Sequence, residues 1–471
     1  MRKTNPLLFS ILAVALTATA FHSLAATVTY TNAADTNWYN PANWSPNQVP
    51  GRADTAVIPG GTVAITSETA VGNLDLSGGT LSAPYGLTLV SGGNWTGGVL
   101  HGQVTVAGGA NFYLNNPGGT LDLPGTTLSI MGTVTWEGGT LRGDGATVIN
   151  NHGTWLINGV NGQFNNSGYG GTPAFVNNSS FVVQNAAANT VAFAGVAFTN
   201  NYNLDAAVDV LGGALLLEGG GFLNGGFRAE AGALIRFFQT GGTTVGFTTG
   251  PNFRCTGPGA TQLTGGALLL GNDQAGLELM GGTVALGPDF QSSGAITNLT
   301  LNGSDLEGTN TLAGTMNWLA GRLGGAFTIS PGGALNLSGS ALLYQYAALT
   351  NSGLITWNGS GDWIVFNDSG AGHGVINNLA NGVIDAQCNN AIRVGPGNTP
   401  WFNNAGLLRK TMSTGATLIN LVFTNTGTVS VQSGELDFNG VNGSYGGVFQ
   451  AANGTVLKFN SGGVLGGSFT A

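Results

Sequence analysis

Asp362, Asp368, His373 and Asp385, followed by Arg393 and Lys410, form the densest run of side chains in this chain that could do acid–base chemistry. Carboxylates gathered on one strand face can act as acid and base at a glycosidic bond, or hold a calcium ion against an acidic sugar. The first four are therefore the catalytic candidates if the chain is an enzyme. Asp368 and Asp385 stand 17 positions apart, shorter than the repeat inferred below, so their spacing does not align them, and the group reads as solvated turn residues. Asp205 and Asp209 lie four apart in a strand-like run, which puts them about 13 Å from each other on one face, wide for paired carboxylates. Asp305 and Glu307 are closer, but they follow the turn-like Asn302-Gly303-Ser304 and read as exposed.

Metal and nucleophile chemistry find less support. Gly143-Asp144-Gly145 is a single copy of a calcium-repeat-like tripeptide, whereas such sites depend on tandem recurrence. His101, His152 and His373 are far apart, without the close pairing of zinc motifs. No Gly-x-Ser-x-Gly elbow with suitable partners is present. The sequence calls for no cofactor and no resident metal. Trp363 and Trp401 are the candidates for stacking on a sugar, although packing inside a corner is expected for both, and Trp38 with Trp44 admits the same carbohydrate-binding reading. Cys255 and Cys388 are 133 positions apart, which predicts two separate buried thiols and no disulfide.

The elements that must position these groups are short strands. Charged residues make up 7% of the chain, against about 25% in ordinary domains, while 82 of 471 residues are glycine and 42% are apolar. Too few long charged side chains remain to cover helical surfaces. Gly lacks the strict three-residue period of collagen, and the apolar content is too high for a disordered linker. Runs such as Leu87-Thr88-Leu89-Val90 and Thr133-Val134-Thr135-Trp136, bounded by Gly- and Asn-rich turns, predict an all-β fold.

A motif recurs through the chain: an apolar residue, a polar residue, Asn, a small residue, then Gly or Ser. It appears as Ile149-Asn150-Asn151-His152-Gly153, Val176-Asn177-Asn178-Ser179-Ser180, Leu349-Thr350-Asn351-Ser352-Gly353, Phe402-Asn403-Asn404-Ala405-Gly406 and Phe423-Thr424-Asn425-Thr426-Gly427, with a looser copy at Phe198-Thr199-Asn200. Beneath it lies a duplication, about 94–249 and 317–471, in which Asn94-Trp95 matches Asn317-Trp318, Ile149 matches Leu349 and Phe198 matches Phe423. The offset steps from 223 to 200 to 225, and whole-coil insertion or deletion then sets the coil at about 23 to 25 residues. Three short strands per coil give a parallel β-solenoid of roughly 19 coils and about 90 Å. The recurring Asn is expected to stack at a corner, its amides bonding up and down the ladder.

Residues 1–25 read as a signal peptide, with Arg2 and Lys3 ahead of an apolar stretch from Leu7 to Ala20 and small residues around Ser23-Leu24-Ala25. Its loss takes the formal charge from −9 to −11 by removing two cations. The few scattered Lys and Arg argue against nucleic acid as a partner, and no later segment is apolar enough to span a membrane. Residues 26–65, with Trp38, Pro41, Trp44, Pro46 and Pro50, read as an atypical N-terminal capping segment, and 66–471 as the solenoid. Gly446-Gly447 through Ala471 follows Gly225-Gly226 through Thr249 and then stops, which predicts either a fragment of a longer protein or an exposed last coil prone to end-to-end self-association.

The stretch from Phe402 to Lys410, continuing from Phe423 through Thr428-Val429-Ser430-Val431 to Leu436, resembles the repeats of exported bacterial surface proteins of the autotransporter-passenger-like and haemagglutinin-like kinds. The resemblance implies a right-handed parallel β-helix at or beyond the cell surface, and it carries over no catalytic residue. Polysaccharide lyases and glycoside hydrolases such as the pectate lyase-like and polygalacturonase-like proteins share that fold and form the rival reading, with a carbohydrate-binding module as a third. The expectation is a non-catalytic structural or adhesive protein whose partners are glycans or cell-surface components.

Overall fold

The computed structural model describes residues 25–239, 246–368 and 372–471, and the side chains of Asp368 and His373 lie outside that description. Residues 1–24 of the expected signal peptide, 1–25, lie outside it as well. The chain is a right-handed parallel β-helix, each coil adding one strand to each of three faces. One coil shows the pattern. Val148–Asn151, Thr154–Asn158 and Gly162–Asn165 pair in parallel with Ala174–Asn177, Ser180–Gln184 and Thr190–Ala194 of the next coil. Strand residues alternate between half-buried and buried, because successive side chains point to opposite faces of a sheet.

The inward residues of all three faces meet in one continuous core. Ile149, Phe175 and Phe198 are register partners on the first face. The rings of Phe175 and Phe198 stack 5.5 Å apart at 4°, and Phe181 and Phe193 from the other two faces meet Phe175 edge-on at 87° and 90°. Offset and edge-to-face packing of this kind uses the ring quadrupole and fills a narrow three-sided interior without voids.

The motif Asn sits at the corner that ends the first strand of a coil, except that in the copy from Val176 the ladder residue is Asn177, one before the expected Asn178. Asn151 Nδ2 donates to Asn177 Oδ1 at 2.7 Å, and Asn177 Nδ2 to Asn200 Oδ1 at 3.0 Å. A second ladder runs from Asn351 through Asn378 and Asn404 to Asn425, with amide-to-amide distances of 2.8, 2.7 and 2.7 Å. All of these side chains are buried, so each amide replaces the water that a corner backbone would otherwise need. Asn378 escaped the motif search because Leu379-Ala380-Asn381 lengthens its corner before Gly382. The motif glycine has a steric cause, since a Cβ on Gly153 would stand 2.0 Å from the carbonyl oxygen of Gly132 one coil earlier.

Two features depart from the sequence expectation. Coil length is not constant: Thr261 pairs with Leu277 sixteen residues on, whereas Gln163 pairs with Ala192 twenty-nine residues on. Corners, unlike strands, can lengthen or shorten without disturbing the hydrogen-bonded ladders, so they absorb the variation. The two Asn ladders also lie on different faces. The face that carries Asn151, Asn177 and Asn200 continues without a break through Phe247, Leu268, Val284, Leu306, Leu323 and Gln345 to Val365. In the second half that face holds the third strand of each coil, and the Asn ladder has moved by one side. The change falls where coils shorten to 16 or 17 residues.

At the N-terminal end Thr27–Tyr30 pairs in parallel with Thr55–Ile58 on one edge and antiparallel with Trp44–Ser45 on the other. Trp38 and Trp44 are both buried, with ring centroids 4.8 Å apart at 73°, so neither can present its face to a sugar. Buried Asn43 ties this segment together: its Oδ1 accepts from the N–H groups of Ala34 and Asp35, and its Nδ2 donates to Asp35 Oδ1 and the Asn37 carbonyl. On the last coil Val464, Leu465 and Phe469 are exposed. Among the described residues no helix is long and apolar enough to cross a membrane.

Candidate functional site

The sequence candidates do not converge. Asp362 precedes the strand Trp363–Asp368 on the third face; its Oδ1 accepts from the Ala391 N–H at 2.8 Å and its Oδ2 from Arg393 Nε at 2.5 Å. Asp385 belongs to the second face, in Val383–Ala386, where it is nearly fully buried. Arg409 Nη2 and Gln387 Nε2 each donate to its Oδ2 at 3.0 Å, and Thr411 Oγ1 donates to its Oδ1 at 2.7 Å. Both carboxylates therefore bond to neighbouring coils. Asp368 and His373 cannot be placed, since their side chains fall outside the described part. Trp363 is fully buried and donates from Nε1 to Gln345 Oε1 at 3.1 Å, whereas Trp401 is 49% exposed, contrary to the expected corner packing.

Lys410 is fully buried, an uncommon fate for lysine, and acts as a corner tie. Its Nζ donates to the Cys388 carbonyl at 2.7 Å and to Ser413 Oγ and Thr417 Oγ1, each at 2.9 Å. Burial draws the Lys410 ammonium below its ordinary range and pushes the Cys388 thiol above its own. Cys255 and Cys388 are both free and buried.

Other expected positions also resolve. Asp205 sits in a corner, not in a strand with Asp209; it pairs with Arg254, while Asp209 pairs with Arg228 at 2.8 Å. Asp144 closes a corner by accepting from the N–H groups of Gly125 and Ala146, both at 2.9 Å. Burial opposes its charge, yet these donors and Thr147 hold the carboxyl below its usual range. His101 meets the Pro124 carbonyl at 2.6 Å, and His152 is exposed at another corner. Among the described residues no group of three His, Cys, Asp or Glu side chains could hold a metal ion.

The pair dismissed from sequence is the one that assembles a site. Asp305 and Glu307 end the strand Ile296–Glu307, two residues apart and thus on one side of the sheet. Arg322 pairs with Asp305 across the ladder and reaches both carboxylates through Nη2, at 3.2 Å to Asp305 and 2.6 Å to Glu307. Its guanidinium carbon lies 5.0 Å above the Tyr346 ring, which stacks in turn on Phe366 at 4.1 Å and 7°. Tyr344 is the next rung after Arg322. Burial raises the Asp305 carboxyl against the pull of Arg322, with Glu307 adding to the rise. Sequence reasoning missed this cluster because Asp305 and Arg322 are 17 residues apart, in the region where the coil is shortest.

A second acidic pair marks a pH response. Asp437 is buried, its Oδ1 lacks a hydrogen-bond partner, and Glu435, paired to Lys458, lies two residues before it. Burial first, and then Glu435, push the Asp437 carboxyl up to about 6 from 3.8. A carboxyl raised on folding costs stability once it must ionise. The penalty is therefore absent below pH about 4 and grows as pH rises through about 6. Asp437→Asn is expected to stabilise the protein at pH 7 by about 1–2 kcal/mol and to flatten the pH dependence between 4 and 6. Urea midpoints across that range check it; an unchanged slope would sink the assignment.

Comparison of the chain with protein-family models, with curated proteins and with solved structures finds no match.

Proposed function

We propose that this chain is a non-catalytic, exported β-helical protein with a structural or adhesive role at the bacterial cell surface or in the extracellular matrix. The observation that carries the reading is the use of its charges. Arg142, Arg228 and Arg409 each reach the carboxylate of the adjacent coil, at 2.6, 2.8 and 3.0 Å, so groups that a hydrolase would aim at substrate are engaged with one another. The buried Asn ladders likewise serve the stacking of coils. The repeat resemblance to exported surface proteins and the Met1–Ala25 pattern support the location.

One rival has a specific observation behind it. Asp305 and Glu307, two positions apart on one strand face, are spaced as the acid and base of a glycoside hydrolase could be. Arg322 bridges the two, which favours holding over turnover. Incubation with neutral and acidic polysaccharides, followed by assays for new reducing ends and unsaturated products, is expected to show no turnover above a buffer control. Turnover abolished by Glu307→Gln would replace the scaffold reading with the enzymatic one.

A further inference from the structure

Beside the Asp305–Arg322 pair the outer surface opens into a groove of about 510 Å³. Gly303, Gly321 and Ala341, which lack longer side chains, line it together with Asp305, Arg322 and Tyr344. This is within the size range of small-ligand sites. The groove combines three properties. Leu342, 42% exposed, and the partly exposed Tyr344 give it an apolar wall. Asp305 supplies hydrogen-bond acceptors, held in place by the guanidinium that Glu307 also engages. The Arg322 side chain, 33% exposed, lines the groove as a hydrogen-bond donor.

We propose that this groove binds a neutral oligosaccharide. The inference rests on the adhesive reading above and names the partner class for it. A pyranose ring has an apolar C–H face and a rim of hydroxyls. The C–H face matches Tyr344 and Leu342, since an aromatic ring offers apolar area without losing its polar tip. Hydroxyl groups can donate to the Asp305 oxygens in charge-assisted hydrogen bonds, and a ring or hydroxyl oxygen can accept from the exposed part of the Arg322 guanidinium. Charge sets the preference for a neutral sugar. Two carboxylates face one guanidinium, so the site keeps an excess of negative charge that repels uronates.

The test uses the full chain and titration calorimetry with hexasaccharides of glucose, xylose, mannose and N-acetylglucosamine, with oligogalacturonate as the anionic comparison. At least one neutral hexasaccharide is expected to bind, with Tyr344→Ala and Asp305→Asn each weakening it tenfold or more and oligogalacturonate binding more weakly still. Met412→Ala, at an exposed position away from the groove, is expected to change nothing. Circular dichroism on each variant verifies the fold, and Tyr344→Phe, which keeps the ring, is expected to retain binding if the alanine variant misfolds. Absence of binding by every neutral sugar, binding unaffected by both groove variants, or preference for oligogalacturonate would overturn the proposal. Absence of binding leaves the scaffold reading intact, whereas cleavage of a bound sugar sinks the scaffold reading and leaves the groove standing.

Discussion

Asn378→Ala is expected to destabilise the second half of the rod by about 3–5 kcal/mol, far more than an ordinary polar-to-alanine change. The cause is what it leaves behind. Asn378 Oδ1 accepts from Asn351 at 2.8 Å, and its Nδ2 donates to Asn404 Oδ1 at 2.7 Å and to the Leu407 carbonyl at 3.3 Å. Its removal strands polar atoms in a corner that water does not reach, each costing about 1–3 kcal/mol. Its sequence neighbour provides the contrast. Asn377 accepts from Asn403 at 2.9 Å on the outer side of the same strand, where both are partly exposed and water can replace the bond. Asn377→Ala is therefore expected to cost under about 1 kcal/mol. Guanidinium unfolding midpoints, with hydrogen exchange over residues 348–428, separate the two, and equal losses would mean that the inner ladder carries no special weight.

Gly406→Ala is expected to cost a similar amount, about 3–5 kcal/mol, by a purely steric route. A Cβ there would stand 2.3 Å from the carbonyl oxygens of both Gly382 and Leu379. Neither oxygen is free to retreat, because Gly382 O accepts from the Leu407 N–H at 2.9 Å and Leu379 O from the Gly382 N–H at 2.8 Å. The coil must rise, and the strands above it must follow. Gly108 has nothing within 4 Å of such a Cβ, so Gly108→Ala is expected to stay within about 0.5 kcal/mol of the parent. Denaturant midpoints of the two variants decide it: similar values would show that the corners have slack.

The architecture was legible because its signal is repeated. An Asn at a buried corner recurs at coil after coil, often with a glycine two residues later, as at Gly153, Gly353, Gly406 and Gly427, and repetition reveals a pattern that any one copy would leave ambiguous. The hidden copy at Asn378 shows the limit, since two extra corner residues displaced the glycine while leaving the amide in place. The site was not legible, for a related reason. Partners across a ladder are found by adding one coil length, and that length varies. Arg322 follows Asp305 by 17 residues, Arg409 follows Asp385 by 24, and Arg393 follows its ladder partner Ile364 by 29 while bonding diagonally to Asp362. A single period of about 24 finds only the middle pair. Trp363 and Trp401 part company in the structure, the first fully buried and the second 49% exposed, because the buried Phe402 takes the inward position beside Trp401.

The shift of the Asn ladder from one side to another bears on how the rod yields under load. A seam of linked amides is a line along which an opening, once started, could travel coil by coil, because each neighbour loses a partner in turn. Here the first seam stops at Asn200 and the second starts at Asn351 on another flank, with short coils joined by tight glycine corners between them. A tear that begins in either half is therefore expected to run into masonry whose joints no longer line up, so that the two lengths fray separately.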